Sequence, residues 1–224
     1  LSDLSIQSNM AGDAGGGLYV ESTESFSASR LTTQGNTAEG NGGGIWISNV
    51  SDPSGYINNS IVQDNSAGGS GGGLYISGTS GLMIANNTIV ANSAIDAGGG
   101  ISANIDGGEL WIWSNIVADS SGNSCLHAAD VDGISVSYNV VFSESSSVGF
   151  DIFDAETTEN QEVDPMFSTF TNDGDFSNDN LSLFALSPAI DSGPTDGEGS
   201  ENYTTWTDID MSQNDRGHTG GPFA

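Results

Sequence analysis

The pattern Asn-x-Ala-x-x-x-Gly-Gly-Gly occurs four times in this chain. Its asparagines are Asn9, Asn36, Asn65 and Asn92, and its glycine triplets open at Gly15, Gly42, Gly71 and Gly98. The triplets follow one another at intervals of 27, 29 and 27 residues. A repeat this strict constrains the fold more than any other feature. One such unit cannot bury an apolar face by itself, so neighbouring units must stack.

Each triplet leads into a short alternating run: Leu18-Tyr19-Val20, Ile45-Trp46-Ile47, Leu74-Tyr75-Ile76 and Ile101-Ser102-Ala103. In an extended run the first and third residues point one way and the second the other. A second extended run follows in later units, over residues 56–62, 83–90, 110–117 and 134–141. No window carries a helical period, and no helix-favouring run of Ala, Leu, Glu and Lys is present. The reading is an all-β parallel solenoid. At about 3.3 Å per residue a coil of this length wraps once around a narrow apolar core, and each strand pairs with its copy about 4.8 Å away. Stacked asparagines predict side-chain hydrogen-bond ladders at corners of left-handed backbone. The glycines supply positive φ or close approach of coils. Tyr19, Trp46 and Tyr75 share one outward position and predict a surface aromatic row. That row reads either as a well-formed sheet face or as a strip that stacks sugars or a partner. Trp111 and Trp113 are two more aromatics nearby in sequence.

Composition matters where it excludes. A hydrophobic share of 35% with a net charge of −28 would suit a disordered chain, but the repeat answers that. There are 30 acidic residues against Arg30 and Arg216, and no lysine. Phosphate backbones and anionic membrane surfaces are therefore repelled. Lysine-based catalysis is excluded outright, no apolar run reaches the length of a transmembrane helix, and Cys125 alone builds no disulfide framework. The acidity reads as a solubilising surface, as adaptation to high salt that screens self-repulsion, or as carboxylates that calcium neutralises.

With these motifs in hand, the repeats resemble the right-handed parallel β-helix proteins of bacterial surfaces, in particular the coils of polymorphic outer-membrane proteins. Asp164-Pro165-Met166-Phe167, Gly174-Asp175-Phe176, Leu186-Ser187-Pro188-Ala189-Ile190-Asp191-Ser192-Gly193 and Asn214-Asp215-Arg216-Gly217 are similar to the endings of such secreted chains, which precede an anchor or sorting region. The resemblance implies a right-handed single β-helix with coils of about 27 residues, and secretion; it implies little about activity. β-Helix lyases use a Lys or Arg base beside an acidic cation site. This chain has no lysine, and its arginines lie far apart.

Candidate chemistry is sparse. Asp130 with Asp132, Asp151 with Asp154, and Asp208 with Asp210 are the carboxylate pairs a glycosidase could use, but the sequence singles out none. Cys125-x-His127 lacks a matching ligand pair, and no nucleophile-elbow pattern supports Ser/His/Asp catalysis. Asp173, Asp175, Ser177 and Asp179 alternate like the first half of a calcium loop. The glycine and glutamate that would complete an EF-hand are replaced by Asn178 and Phe184. Five N-x-[ST] triplets begin at Asn49, Asn58, Asn86, Asn180 and Asn202. No regular threonine ladder suggests ice binding.

The organisation expected is one domain over 1–224, with regular coils to 145, an irregular acidic segment over 146–180 and final strands and tail over 181–224. The opening Leu1-Ser2-Asp3-Leu4 reads as mid-strand, as in a mature product or a piece of a longer protein. The function expected is a non-enzymatic secreted or cell-surface protein, structural or adhesive, such as a stalk or a filament subunit built by self-association through open solenoid ends. The alternative is a β-helix that binds or degrades carbohydrate, glycosidase before lyase. The partners expected are further copies, another surface protein or a glycan. Calcium is the one cofactor the sequence suggests, and no catalytic residue is assigned.

Overall fold

The computed structural model describes residues 1–51, 54–129, 133–144, 148–152, 156–195 and 212–220. It is all-β, with no helix among the described residues, and its parallel sheets stack as a β-solenoid of about five coils. Sheet I follows the glycines and comprises Leu18–Glu21, Ile45–Ser48, Leu74–Ser77, Ile101–Asn104, Ser124–Ala129 and Val148–Ile152. Sheet II comprises Ser27–Ser29, Tyr56–Asn58, Leu82–Ala85, Leu110–Trp113, Ile134–Ser137 and Glu156–Thr158. Sheet III has seven strands, from Ser5–Gln7 to Gln161–Glu162, and sheet IV stacks four two-residue strands from Met10–Ala11 to Ser93–Ala94. Parallel pairing thus runs past residue 145. The segment read as irregular supplies the last strand of each long sheet.

Period-two alternation sends one set of side chains into the core. Ile45, Ile47, Leu74, Ile76, Ile57, Ile84, Ile112, Val62, Ile89 and Val117 are all fully or almost fully buried there. The corners between sheets are left-handed. Asn59, Asn86, Ser114 and Tyr138 form one column at φ 48–58° between sheets II and III, and Ser8, Asp64, Ala91 and Asp119 form another between sheets III and IV. Asparagine, aspartate and serine tolerate this region because their short side chains hydrogen-bond locally. The glycine triplet has two separate duties, as one copy shows. Gly71 sits at φ +69°, whereas a Cβ on Gly72 would lie 2.3 Å from the Ser93 carbonyl oxygen of the next coil.

The residue after each left-handed corner turns inward and builds a ladder. Asn9, Asn36 and Asn65 each donate through both backbone N–H and side-chain Nδ2 to Oδ1 of the next asparagine, ending on Asn92, at 2.9–3.0 Å. Asn92 then passes its N–H to Ser120 Oγ at 3.4 Å. A second ladder stands at the other corner. It starts at Ser60, which donates only its backbone N–H to Asn87 Oδ1, and runs through Asn87, Asn115 and Asn139 to Asn160 with the same two-donor pattern.

Beyond residue 162 the chain folds back over the outer face of sheet III. Phe167–Thr169 and Asn180–Leu183 pair antiparallel. Val163, Phe167, Phe170, Leu181, Leu183 and Ala189 pack on Ile61, Val90, Ile116, Ala118, Val140 and Phe142. Residues 212–220 form a strap across the corner column. Asn214 Nδ2 donates to Ser114 Oγ at 2.6 Å, and Gly217 N to the Ser114 carbonyl at 2.9 Å. Arg216 is buried and donates through Nε and Nη2 to the Ser192 carbonyl and through Nη1 to that of Asn139. The Ser187–Gly193 and Asn214–Gly217 motifs bond to each other through Gly193 N to Asn214 O and Arg216 N to Ala189 O. They work as a clamp on the coil stack.

Candidate binding face

The outer faces of the long sheets differ. Sheet III lies under the chain's own C-terminal segment. On sheet II the outward Asn58, Met83 and Ala85 are buried, while Tyr56, Trp111 and Trp113 are partly buried around them. Sheet I keeps a partly exposed outer row, and strict register composes it. Tyr19, Trp46, Tyr75, Ser102, His127 and Asp151 stand opposite one another in six successive strands.

At the first end, the Tyr19 and Trp46 rings stack with centroids 4.4 Å apart and planes 6° from parallel. Tyr19 is half exposed and donates its hydroxyl to Glu21 Oε2 at 3.0 Å. That carboxylate, with the charge of Asp13, holds the Tyr19 phenol above its ordinary range. This stacking along the solenoid axis occupies one face of each of the two rings. At the far end His127 Nδ1 lies 2.8 Å from Asp151 Oδ2. Ser102, between Tyr75 and His127, is buried and makes no hydrogen bond to His127. Serine, histidine and aspartate therefore share a column without forming a relay, which needs the nucleophile bonded to the base.

The other predicted residues go elsewhere. Trp111 and Trp113 lie on sheet II with Met83 and Ala85, where Trp113 Nε1 donates to Ser135 Oγ at 2.9 Å. Cys125 is buried in the core and donates to the Ser120 carbonyl. His218 lies in the strap with Nδ1 2.8 Å from Thr88 Oγ1, and burial pushes its pKa down to about 4. In the acidic loop, Asp173 Oδ1 accepts from Asp175 N at 2.9 Å, and Asp175 Oδ1 accepts from both the N–H and hydroxyl of Ser177. Asp179 accepts from Thr171 N–H at 2.8 Å and from Gln63. These oxygens serve turns and an anchor, and no group of three or more His, Cys, Asp or Glu side chains among the described residues is arranged to hold a metal ion. Of the carboxylate pairs, Asp130, Asp132, Asp154, Asp208 and Asp210 lie outside the described residues, and Asp151 is engaged by His127. Asn58 and Asn86 are buried, Asn49 and Asn180 are exposed, and Asn202 lies outside the described residues.

Sequence reasoning missed the extension of the row to His127 and Asp151. After Gly98 no further triplet marks the register, although the alternation in Leu126-His127-Ala128 was available to extend it. It also missed the second asparagine ladder. No described helix is long and apolar enough to cross a membrane. No family model, curated protein or solved structure matches this chain.

Proposed function

We propose that this chain is a non-enzymatic, secreted or cell-surface β-solenoid of structural or adhesive type, of the polymorphic outer-membrane-protein kind. Its partner-contacting surface is the outer row of sheet I. The observation that carries this reading is the Tyr19–Trp46–Tyr75 row, left partly exposed on sheet I. Aromatic side chains ordered in a rigid sheet contact a partner at little entropic cost. The acidic surface, free of lysine, supports an extracellular setting. It also opposes head-to-tail association at low ionic strength, so self-assembly into a filament belongs to conditions of high salt or bound calcium.

The second reading, a carbohydrate-active β-helix, rests on the same row. The Tyr19, Trp46 and Tyr75 rings present aromatic surface to a sugar, so binding is favoured over cleavage. The test is a glycan-array binding and reducing-sugar release assay, with and without calcium, on the wild-type chain and on Trp46→Ala. Binding lost in Trp46→Ala, with no sugar released, supports the adhesive reading. Release of sugar by the wild-type chain overturns it.

A further inference from the structure

Charge decides what can lie on the outer row of sheet I. The aromatic part of that row begins at Tyr19, which is 50% exposed. Its strand, Leu18–Glu21, is the end strand of the sheet, so the ring has a strand neighbour on one side only, where Trp46 stacks on it. The Tyr19 hydroxyl donates to Glu21 Oε2 at 3.0 Å, which holds a carboxylate at the edge of the ring. Asp13 is near enough for its charge to act on the same phenol. The flanks of the sheet are acidic as well. Asp13, Glu39 and Asp96 are exposed in the segments that lead into its strands, and Glu21, Glu24 and Asp106 are exposed at or just after strand ends. The six strands themselves hold no lysine or arginine.

Aromatic rings rimmed by carboxylates favour one kind of visitor. A cation over a ring face is attracted by the ring's electron-rich surface, and a nearby carboxylate adds to that attraction. A second copy of this chain does not supply the cation. Its net charge is −28, it has no lysine, Arg30 is forked onto Asp3, and Arg216 is buried. Two such faces brought together would set acid against acid. A basic partner gains at both stages, because the acidic surface steers it in and the row then orders it. Of the two basic side chains, arginine fits better. Its planar guanidinium stacks on an aromatic face while its N–H groups fork onto a carboxylate, whereas the lysine ammonium is a compact and strongly hydrated point charge. From Tyr19 to Tyr75 the row crosses two strand spacings, about 10 Å, long enough to seat an extended segment rather than a single ion.

We propose, taking this row as the partner-contacting surface, that its occupant is a basic segment of another protein, with an arginine guanidinium laid against Tyr19 and its N–H groups on Glu21. Calorimetric titration of the full chain with two short peptides tests it. One peptide alternates glycine with arginine; the other alternates glycine with citrulline, which keeps the shape of arginine and lacks its charge. The arginine peptide should bind about tenfold tighter or better at low ionic strength. Tyr19→Thr keeps a strand-forming residue at an exposed site and should weaken that binding about fivefold, and Glu21→Gln about threefold. Glu156→Gln removes an exposed carboxylate from sheet II and should leave it unchanged. Equal affinities for the two peptides overturn the proposal; if Tyr19→Thr then abolishes both, the row still contacts a partner, of another chemistry. Weakening by Glu156→Gln as large as that by Glu21→Gln also overturns it, because the charge of the whole surface and not the row would then hold the peptide. Binding of neither peptide overturns it too, and leaves the row itself to be judged by the glycan comparison with Trp46→Ala.

Discussion

Asp179 closes a row of glutamines by accepting a hydrogen bond from the Gln63 side chain. Gln7 donates to Gln34 at 2.9 Å and Gln34 to Gln63 at 3.1 Å, so three coils are tied in sequence to the acidic loop. The anchor brings carboxylates together. Asp64, next to Gln63, is half-buried in a left-handed corner, and burial, followed by the charges of Asp179 and Asp173, raises its pKa to about 6.

That shift sets a pH dependence. The folded pKa lies above the ordinary 3.8, so the folded state holds this proton more tightly than the unfolded chain. The stability gained is complete below about pH 4 and is lost as pH rises through about 6. Asp64→Asn removes the burdened charge and suits the positive φ. It should stabilise the protein at pH 8 by about 1 kcal/mol, after allowance for solvent screening, and not at pH 4. Urea unfolding at the two pH values checks this; equal effects at both would refute it.

His218 works in the opposite sense. Its folded pKa of about 4 lies below the ordinary 6.5 because burial disfavours the imidazolium. Its contribution is present above about pH 6.5 and is lost as pH falls toward 4. Between pH 6.5 and 4 the two groups therefore offset each other. His218→Asn should remove most of the acid-side loss, about 2–3 kcal/mol, and leave a curve that climbs on acidification through Asp64. A wild-type and a variant curve of the same shape would show that the imidazole stays uncharged for another reason.

Position along a ladder decides the cost of losing an asparagine. Asn65 Oδ1 accepts from Asn36 N and Nδ2, while its own amide donates to Asn92 Oδ1 and the Thr33 carbonyl. Asn65→Ala leaves several of these buried groups unmatched and should cost about 3 kcal/mol or more. Asn9 is exposed, and its truncation removes only the Nδ2 donor to Asn36 Oδ1, because the backbone N–H that also donates there is kept. Water can replace the lost donor, so Asn9→Ala should cost under about 1 kcal/mol. Denaturant midpoints of the two variants give the comparison directly.

The contrast between the ladders shows what was legible in the sequence. The Asn9 ladder carries its own marker, because a glycine triplet six residues on fixes the register in every coil. The ladder from Ser60 through Asn87, Asn115 and Asn139 to Asn160 has no such marker. Its spacings of 27, 28, 24 and 21 follow the varying lengths of the intervening loops. The same loss of marker hid His127 and Asp151 at the end of the aromatic row. The strap was legible only as a motif, because its bonds join residues 77 to 161 positions apart and no periodicity reaches that far.

Arg216 is where the strap is most dependent on one side chain. Burial lowers its pKa only to about 10, so it remains a cation at neutral pH. Its fork spans two carbonyls, of Ser192 and Asn139, that otherwise would lie buried beside it. Lysine keeps the charge but places a single point donor on a flexible stem and cannot bridge both. Arg216→Lys should therefore lose about 2 kcal/mol locally, with the coils intact. Hydrogen exchange separates the two levels. The Gly193 and Arg216 amides, which bond Asn214 and Ala189, should exchange roughly 30-fold faster in the variant, in line with about 2 kcal/mol. The core amides of Ile47 and Ile76 should be unchanged. Uniform acceleration over both sets would mean that the strap and the coil stack open as one unit, and that Arg216 supports the whole solenoid and not the strap alone.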